Sequence, residues 1–339
     1  MGLAIGIGNG ILFTSQTRQG GGGTTSFITT WRTTTTNETI TIPTTGSGYN
    51  YDISTSDGQT FSGISGSQAI TFASAGDYDV SISGAFPRIY INNGVERAKI
   101  VDIKQWGNIA WSSLEGAFKG ASNLQLTATD APDLSNVTTL KEIFRNCTIF
   151  NANINHWDVS NVTDLTSAFY FTSSFNQPLN NWDVSNVTNM ATSFRRSAFN
   201  QDLSIWNTSS VTNFVNTFRE SSYNGSGSSN WDVSNVTEVD RMFYQTPFNK
   251  NISGWDIIGI TSFNDFLKNS SALSTANYDA ILIGWEATLQ ATYPNGSGYT
   301  PIISINFGGA EYTGGGAAAT ARASLISNFN WTITDGGIA

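Results

Sequence analysis

A repeated heptapeptide constrains the fold of this 339-residue chain more than any other feature. WDVSNVT stands verbatim at 157–163, 182–188 and 231–237, with degenerate copies at 132–138 (PDLSNVT) and 206–212 (WNTSSVT). If the Trp position is counted as zero, units of 24 to 26 residues begin at 106, 132, 157, 182, 206, 231 and 255. A repeat of this length predicts a solenoid, in which each unit buries its apolar face only against its neighbours.

Apolar side chains recur at two fixed positions of each unit. The twelfth position after the Trp is aromatic in every unit but the last: Phe118, Phe144, Phe169, Phe194, Phe218, Phe243 and Leu267. The eighth position, four residues earlier, is also apolar. This spacing predicts a helix of about two turns, and the Trp-Asp-Val portion before it predicts a short strand. The expected unit is therefore a strand followed by a helix.

Residues 24–100 are predicted to form a separate antiparallel β-sandwich. Six short segments alternate apolar and polar side chains between turn residues: SFITTW, ETITIP, YNYDIS, QAITFA, DYDVSIS and PRIYIN. Several strands at this spacing are typical of a sandwich. The segment AGDYDVSI at 75–82 is similar to the closing strands of PKD-like β-sandwich modules. Ser56-Asp57-Gly58 resembles their Gly-Asp-Gly turn.

The repeat fades after residue 269, and residues 270–339 are predicted to cap it. Ser274–Leu289 carries apolar residues at helical spacing after a Ser cap, and Ala317–Asn328 is a second predicted helix. Pro301–Phe307 and Trp331–Thr334 are predicted strands. Atypical terminal units of this kind close the open end of a repeat array.

The repeats also carry a family resemblance. WDVSNVT followed by Phe and then Phe-Asn-Gln, as at 175–177 and 199–201, resembles the repeat of BspA-like leucine-rich-repeat surface proteins. The tail at 321–325 and 331–337 is similar to the C-terminal end of such proteins. The resemblance implies extracellular adhesion to host proteins, glycans or other cells. The predicted fold class is thus α+β: the sandwich, a leucine-rich-repeat-like α/β solenoid over 101–269, and the cap.

Residues 1–23 are predicted to be a docking segment. Their apolar side chains are too few to form a core of their own: Leu3, Ile5, Ile7, Ile11, Leu12 and Phe13. We expect them to insert into a groove on a partner chain, with the glycines at 20–23 as a flexible joint. The apolar run is interrupted by glycines, and no Lys or Arg precedes it, unlike in a secretion signal.

Two sets of side chains, each at one fixed position of successive units and here called columns, are predicted to be structural: one is aromatic and the other is polar. One consists of Trp157, Trp182, Trp206, Trp231 and Trp255. Packing is the favoured role for these indoles, and a sugar-stacking platform is the alternative. The other column consists of Asn151, Asn176, Asn200, Asn224 and Asn249. A side-chain amide at a fixed position can bond the backbone of the next turn.

An acidic residue follows the Trp in most units, although Asn207 replaces it once. Neighbouring strands would place these carboxylates about 5 Å apart, so they need compensation by backbone N–H donors or by a cation. Backbone bonding is favoured, because an amide can replace a carboxylate only where the charge is dispensable. Calcium is the alternative, although the Gly-rich calcium-binding repeat is missing.

The remaining composition restricts the chemistry. A formal charge of −9 and a pI near 4.5 disfavour a nucleic-acid partner. Cys147 and His156 are the only residues of their kinds, so no metal cluster, cofactor or catalytic residue is predicted. No apolar run is long enough to insert into a membrane. A polysaccharide depolymerase is a third, less favoured class, because no pair of acids lies apart from the repeated column.

These patterns predict a structural and binding protein rather than an enzyme. An extracellular type of repeat without a secretion signal fits a bacteriophage virion, whose particles are released by lysis. We therefore expect a head or tail fibre or decoration protein, oligomeric and docked to other virion proteins through its N-terminal segment. Its solenoid is expected to attach to a host surface protein or glycan. The alternative is a bacterial cell-surface adhesin of the BspA-like type.

Overall fold

The computed structural model describes residues 26–339, which form mostly strands and turns. Two α-helices occur in this range, α1 at Thr275–Thr292 and α2 at Ala317–Phe329. The strands are β1 Phe27–Thr33, β2 Glu38–Ile42, β3 Asn50–Thr55, β4 Thr60–Ile64, β5 Gln68–Phe72, β6 Gly76–Ala85, β7 Ile100–Gln105, β8 Gln125–Leu126, β9 Ser304–Asn306, β10 Glu311–Tyr312, β11 Thr332–Thr334 and β12 Gly337–Ile338. The docking segment at 1–23 lies outside the described residues.

The N-terminal strands form one open sheet and one ribbon rather than a closed antiparallel sandwich. The six-stranded sheet has the order β4-β3-β6-β1-β7-β8, and its last pair, β7 and β8, is parallel. The ribbon pairs β2 with β5. Strand β4 was not predicted, and the predicted strand at 87–92 is absent from the described elements. The sheet also extends past the predicted domain boundary, because β8 belongs to the first repeat.

One side of this sheet is buried by the alternation of its strands. Phe27 and Trp31 in β1 are fully buried, as are Val80 and Ile82 in β6. Side chains of the ribbon join the same buried cluster: Ile40, Ile42, Ile70 and Phe72. Trp106 of the first repeat stacks on Phe27 at a ring distance of 5.6 Å, so the sheet and the repeats share one core.

The predicted α/β solenoid of leucine-rich-repeat type is wrong. Between 127 and 274 the described chain contains no α-helix and no strand longer than one residue. The segment between the two apolar positions consists of consecutive turns. The Trp-Asp-Val portion is not extended into a strand either, and the only sheet-like pairing is a single parallel bridge per unit.

Left-handed residues explain why the helices do not form. In all seven units the tenth and fourteenth residues after the Trp have positive φ, for example Thr192 at 58° and Arg196 at 57°. A non-glycine residue in this conformation costs roughly 1–2 kcal/mol, and it ends any right-handed helix. The apolar positions four residues apart therefore lie on a series of tight turns.

Hydrogen bonds between units compensate for this strain. In one unit the backbone N–H groups of Glu142, Phe144 and Asn146 donate to carbonyls of the next unit at 2.9, 3.0 and 2.8 Å. Equivalent bonds recur along the repeats. Single bridges connect Thr139, Asp164, Asn189, Asn213, Glu238 and Ser262 in order. Because every polar backbone group that is buried needs a partner, these bonds fix each unit on its neighbour.

Aromatic rings fill the interior of the repeats. The Phe rings at the twelfth position stack on one another with centroids 5.3–6.0 Å apart from Phe118 to Phe243. A second row, from Phe150 to Phe248, lies against the first, and Phe144 and Phe150 are only 4.0 Å apart. The predicted apolar positions are thus the core, although the backbone that carries them differs from the prediction.

Both predicted helices of the C-terminal region are confirmed. Ser274 caps α1 by accepting a hydrogen bond from the Asn277 N–H, and Trp285 lies on the buried face of this helix. Asn330 ends α2 in a left-handed conformation. Strand β9 continues the bridges of the repeats, since Ile305 pairs with Phe263. None of the helices in the described part of the chain has the length and apolar character needed to cross a membrane.

Candidate functional site

The Trp column lies inside the repeats. Trp157, Trp182, Trp206, Trp231 and Trp255 are at most 4% exposed. From Trp182 onward, each indole N–H donates to a backbone carbonyl 27 or 28 residues earlier, as Trp206 does to Leu179 at 3.0 Å. Buried rings that are bonded in this way stabilise the contact between units. They are not accessible for stacking on a sugar.

The acidic residues after the Trp cap their own turns. Asp158, Asp183 and Asp232 each accept a hydrogen bond from the backbone N–H two residues later, at 2.9–3.1 Å. Asn207 makes the same bond to Ser209, so an amide serves as well as a carboxylate. Hydrogen bonds from the Ser234 hydroxyl and backbone lower the pKa of Asp232. The column therefore has backbone partners that do not require a cation.

The Asn column links successive units along an exposed edge. The side-chain oxygens of Asn151, Asn176 and Asn200 accept from the backbone N–H of the next Asn in the column at 2.8–3.0 Å. The series changes at Asn224, whose oxygen accepts from Ser226 in its own unit. Asn249 then accepts from the Ser274 N–H at the start of the C-terminal region. Most of these amides are exposed, which weakens each bond compared with a buried one.

Replacing Asn200 by alanine should lower the free energy of unfolding by about 0.5–1.5 kcal/mol, because Asn224 loses its acceptor. Urea denaturation of the full-length protein measures the change. Asn200→Asp is the matched control, because a carboxylate keeps the acceptor oxygen, and it should retain most of the lost stability. Equal stability of all three proteins would mean that the column is solvated and does not hold the units together.

No metal or nucleophile site emerges from the described residues. Within 26–339, no group of three or more His, Cys, Asp or Glu side chains is placed to hold a metal ion. Cys147 is buried, its thiol donates to the Phe118 carbonyl, and burial raises its pKa, which makes the thiolate less accessible. His156 is exposed, and its ring lies 3.3 Å from the backbone oxygen of Asp130.

A column in which five of the seven residues are basic was not recognised from the sequence. It occupies the thirteenth position of the seven units and consists of Lys119, Arg145, Tyr170, Arg195, Arg219, Tyr244 and Lys268. We call these residues the cationic column. All are half-buried and directly follow the buried residue at the twelfth position. Consecutive members are 24 to 26 residues apart, so the sequence shows no continuous basic segment. Numbering each unit from its Trp, which identifies the Phe column, would also have identified this column.

Carboxylates balance only part of this charge. The ion pairs of the column and its neighbours join seven cations to three carboxylates, Glu142, Glu220 and Asp265. The cations are Lys119, Arg145, Arg195, Arg196, Arg219, Arg241 and Lys268. Cations therefore outnumber carboxylates in this set of ion pairs, on a chain whose total charge is −9.

The repeats match a known family. Residues 112–224 and 195–280 match the family described as "Mycoplasma protein of unknown function, DUF285". The match is consistent with the resemblance to BspA-like surface repeat proteins, and it does not reach the segment that resembles PKD-like modules. Searches of curated proteins and of solved structures found no match. The whole cationic column, from Lys119 to Lys268, and the Asn column lie within the part of the chain that this family covers.

A groove of about 520 Å³ lies where the six-stranded sheet meets the first two repeat units. Its lining includes Arg32, Asp77, Asp79, Lys104 and Ile149. Arg32 is bonded to Asp77 at 2.7 Å and Lys104 to Asp79 at 2.8 Å. The third carboxylate of the lining, Asp102, accepts hydrogen bonds from the Thr127 backbone N–H and hydroxyl. This groove has less uncompensated charge than the cationic column.

Proposed function

We propose that the protein is a non-catalytic attachment protein whose repeats bind a surface protein or glycan of a host. We further propose that it is displayed on a bacteriophage virion, as a head or tail fibre or decoration protein, and oligomerises there through residues 1–23. The second proposal rests on the sequence, because that segment lies outside the described residues.

The proposal depends on one observation: some columns of the repeats make internal contacts, whereas others reach solvent. Columns that stay constant from unit to unit are used internally: the Phe and Trp rings are buried, and the Asp and Asn side chains bond backbone. The columns on the turns vary from unit to unit, as Arg145, Tyr170 and Arg219 illustrate, and their side chains reach solvent. A rigid frame with variable outward side chains is suited to recognition.

A bacterial cell-surface adhesin of the BspA-like type is the second candidate. One observation favours it, since the repeats match a family whose description names a bacterial source. The two candidates differ in location and not in the mode of binding. Immunogold labelling of virions and of cells from the same culture distinguishes them. Label on particles supports the virion proposal, and label confined to the cell envelope contradicts it.

Attachment itself is testable with the full-length protein. Fluorescently labelled protein should bind saturably to intact host cells and be displaced by unlabelled protein. The same samples should release no reducing ends from extracted capsule, which would reveal a depolymerase. Absence of saturable binding to cells from any candidate host, together with release of sugar, would contradict the attachment proposal.

A further inference from the structure

Arg195 occupies the middle of the cationic column with few partners of its own. Its Nε atom is buried, and none of the described residues accepts a hydrogen bond from it. The nearest carboxylate oxygen, on Glu220, is 3.8 Å from its Nη2 atom, beyond hydrogen-bond distance. The buried Nε cannot reach a ligand, so the donors that remain for one are the terminal nitrogens of this side chain, which is 21% exposed. A planar group with free N–H donors is suited to binding an oxyanion through two bonds.

The charge around Arg195 is poorly balanced. Glu220 already pairs with Arg196 and accepts a bond from the Nε of Arg219 at 2.9 Å. Three guanidinium groups thus share one carboxylate. Burial lowers the pKa of Arg195, and repulsion from Arg219 lowers it further. An added anion would relieve this repulsion in the same place where it finds donors.

Tyrosine rings hold the guanidinium groups of the column in place. The guanidinium carbons of Arg145 and Arg195 lie 4.8 and 5.4 Å from the centre of the Tyr170 ring, and that of Arg219 lies 5.0 Å from Tyr244. Cation–π contacts of this kind restrict the side chain without using its N–H donors. The Nε of Arg145 is likewise buried, with no acceptor among the described residues. The column therefore offers a row of positioned donors rather than flexible surface charges.

We propose that the cationic column binds the carboxylate or sulfate groups of an acidic polysaccharide, with Arg195 at its centre. The proposal rests on the attachment function above and names its ligand class. The rings beneath Arg195 and Arg219 are 5.4 Å apart, and those beneath the basic pair of the first two units are 5.9 Å apart. Both spacings are shorter than one Debye length at physiological salt, so the positive charges of each pair act together. A flexible polymer with repeated anionic groups can contact several members at once.

Nucleic acid fits this surface less well. A duplex carries one phosphate charge for about each 1.7 Å of its length, and binding needs many cations over an extended face. Here the column supplies five cations in a single row, which is a small set for a duplex interface. Both rings beside the arginines already contact guanidinium groups, so they are less available to bases.

The test uses full-length protein and immobilised probes in biolayer interferometry at physiological salt. The probes are heparin for sulfate, polygalacturonate for carboxylate, dextran as a neutral chain, and duplex DNA. We expect binding to heparin, polygalacturonate or both, which identifies the preferred anion, and weaker binding to dextran and DNA. Arg195→Gln should weaken binding about tenfold or more, since hydrogen bonds to charged groups are among the stronger ones. Arg196→Gln, at a more exposed side chain, should weaken it less.

Arg32→Gln is the matched control, because it removes the same charge at an exposed side chain of strand β1, which lies outside the repeats. It should change binding less than twofold, and melting temperatures should show that all variants are folded. Equal loss in Arg32→Gln and Arg195→Gln, or tighter binding to DNA, would overturn the polysaccharide proposal. Binding to cells that persists in Arg195→Gln would overturn this inference alone, whereas no binding of wild type to any cell would contradict the attachment function.

Discussion

Replacing Asp335 by alanine is expected to lower the free energy of unfolding by about 3–5 kcal/mol. The Asp335 side chain is 4% exposed and accepts bonds from the Tyr278 hydroxyl at 2.6 Å and the Arg322 Nε at 2.7 Å. Alanine leaves a partly buried guanidinium and a buried hydroxyl without their acceptor. Because Tyr278 lies on α1 and Arg322 on α2, the substitution removes a polar link between the two helices of the C-terminal region.

Asp77→Ala is the control for this substitution. Asp77 also pairs with an arginine, Arg32, but both side chains are about half exposed. Exposed pairs contribute about 0–1 kcal/mol, so the change should be small. Urea denaturation of the two variants measures the contrast. Similar losses in both would contradict the buried arrangement around Asp335.

Replacing Phe194 by alanine is expected to cost about 3–5 kcal/mol. Phe194 is fully buried, and its ring stacks on Phe169 at 5.3 Å, on Phe218 at 5.4 Å and on Phe199 at 4.5 Å. The cavity would lie between three units at once, in the middle of the repeats. Because neighbouring rings are held by inter-unit backbone bonds, they cannot collapse fully into the space.

Phe171→Ala is the matched control for the aromatic core. The Phe171 side chain is 42% exposed, and its backbone is left-handed. Alanine has a Cβ atom as phenylalanine does, so the substitution leaves the left-handed strain of the backbone unchanged. We expect a loss of about 1 kcal/mol, in proportion to the smaller area that is buried. Calorimetric melting of both variants gives the comparison. A loss below about 1 kcal/mol for Phe194→Ala would mean that the rings are not packed as a continuous column.

The sequence predicted the repeat, its interior residues and both C-terminal helices. The Phe and Trp columns were recognisable because identical apolar side chains recur at fixed offsets, and side chains at equivalent positions must face the same neighbours. Helix α1 was recognisable because Ser274 precedes a run in which Tyr278, Ile281 and Trp285 share one face. These features depend on local spacing, which a single sequence contains.

The backbone of the repeats could not be predicted in the same way. The left-handed positions carry Glu142, Thr192, Arg241 and other residues that normally avoid positive φ, and only the first unit has glycine at both. In the other units, no glycine therefore indicated a turn between the two apolar positions, and their four-residue spacing also fits a helix. The compensating bonds join residues 23 to 26 positions apart, such as Thr192 to Val215, so their contribution is invisible within one unit.

The cationic column was missed for a related reason. Its charge depends on residues that are distant in the chain and adjacent in the fold, whereas a sequence shows only an acidic total. The Asn column was recognised, but its exposure was not, because spacing does not reveal whether an edge faces solvent.

The left-handed turns determine which side chains reach solvent, and Gln245 tests them most directly. Gln245 is exposed, has φ of 55°, and lies at the fourteenth position of its unit. We predict that Gln245→Gly is more stable than Gln245→Ala by about 0.5–1 kcal/mol. Glycine avoids the left-handed strain of about 1–2 kcal/mol that alanine has at this position. Part of this gain is offset because glycine loses more conformational entropy on folding. In a helix alanine would instead be more stable by about 1 kcal/mol. Urea denaturation of the two variants decides the sign, and a more stable alanine variant would contradict the turn structure of the repeats.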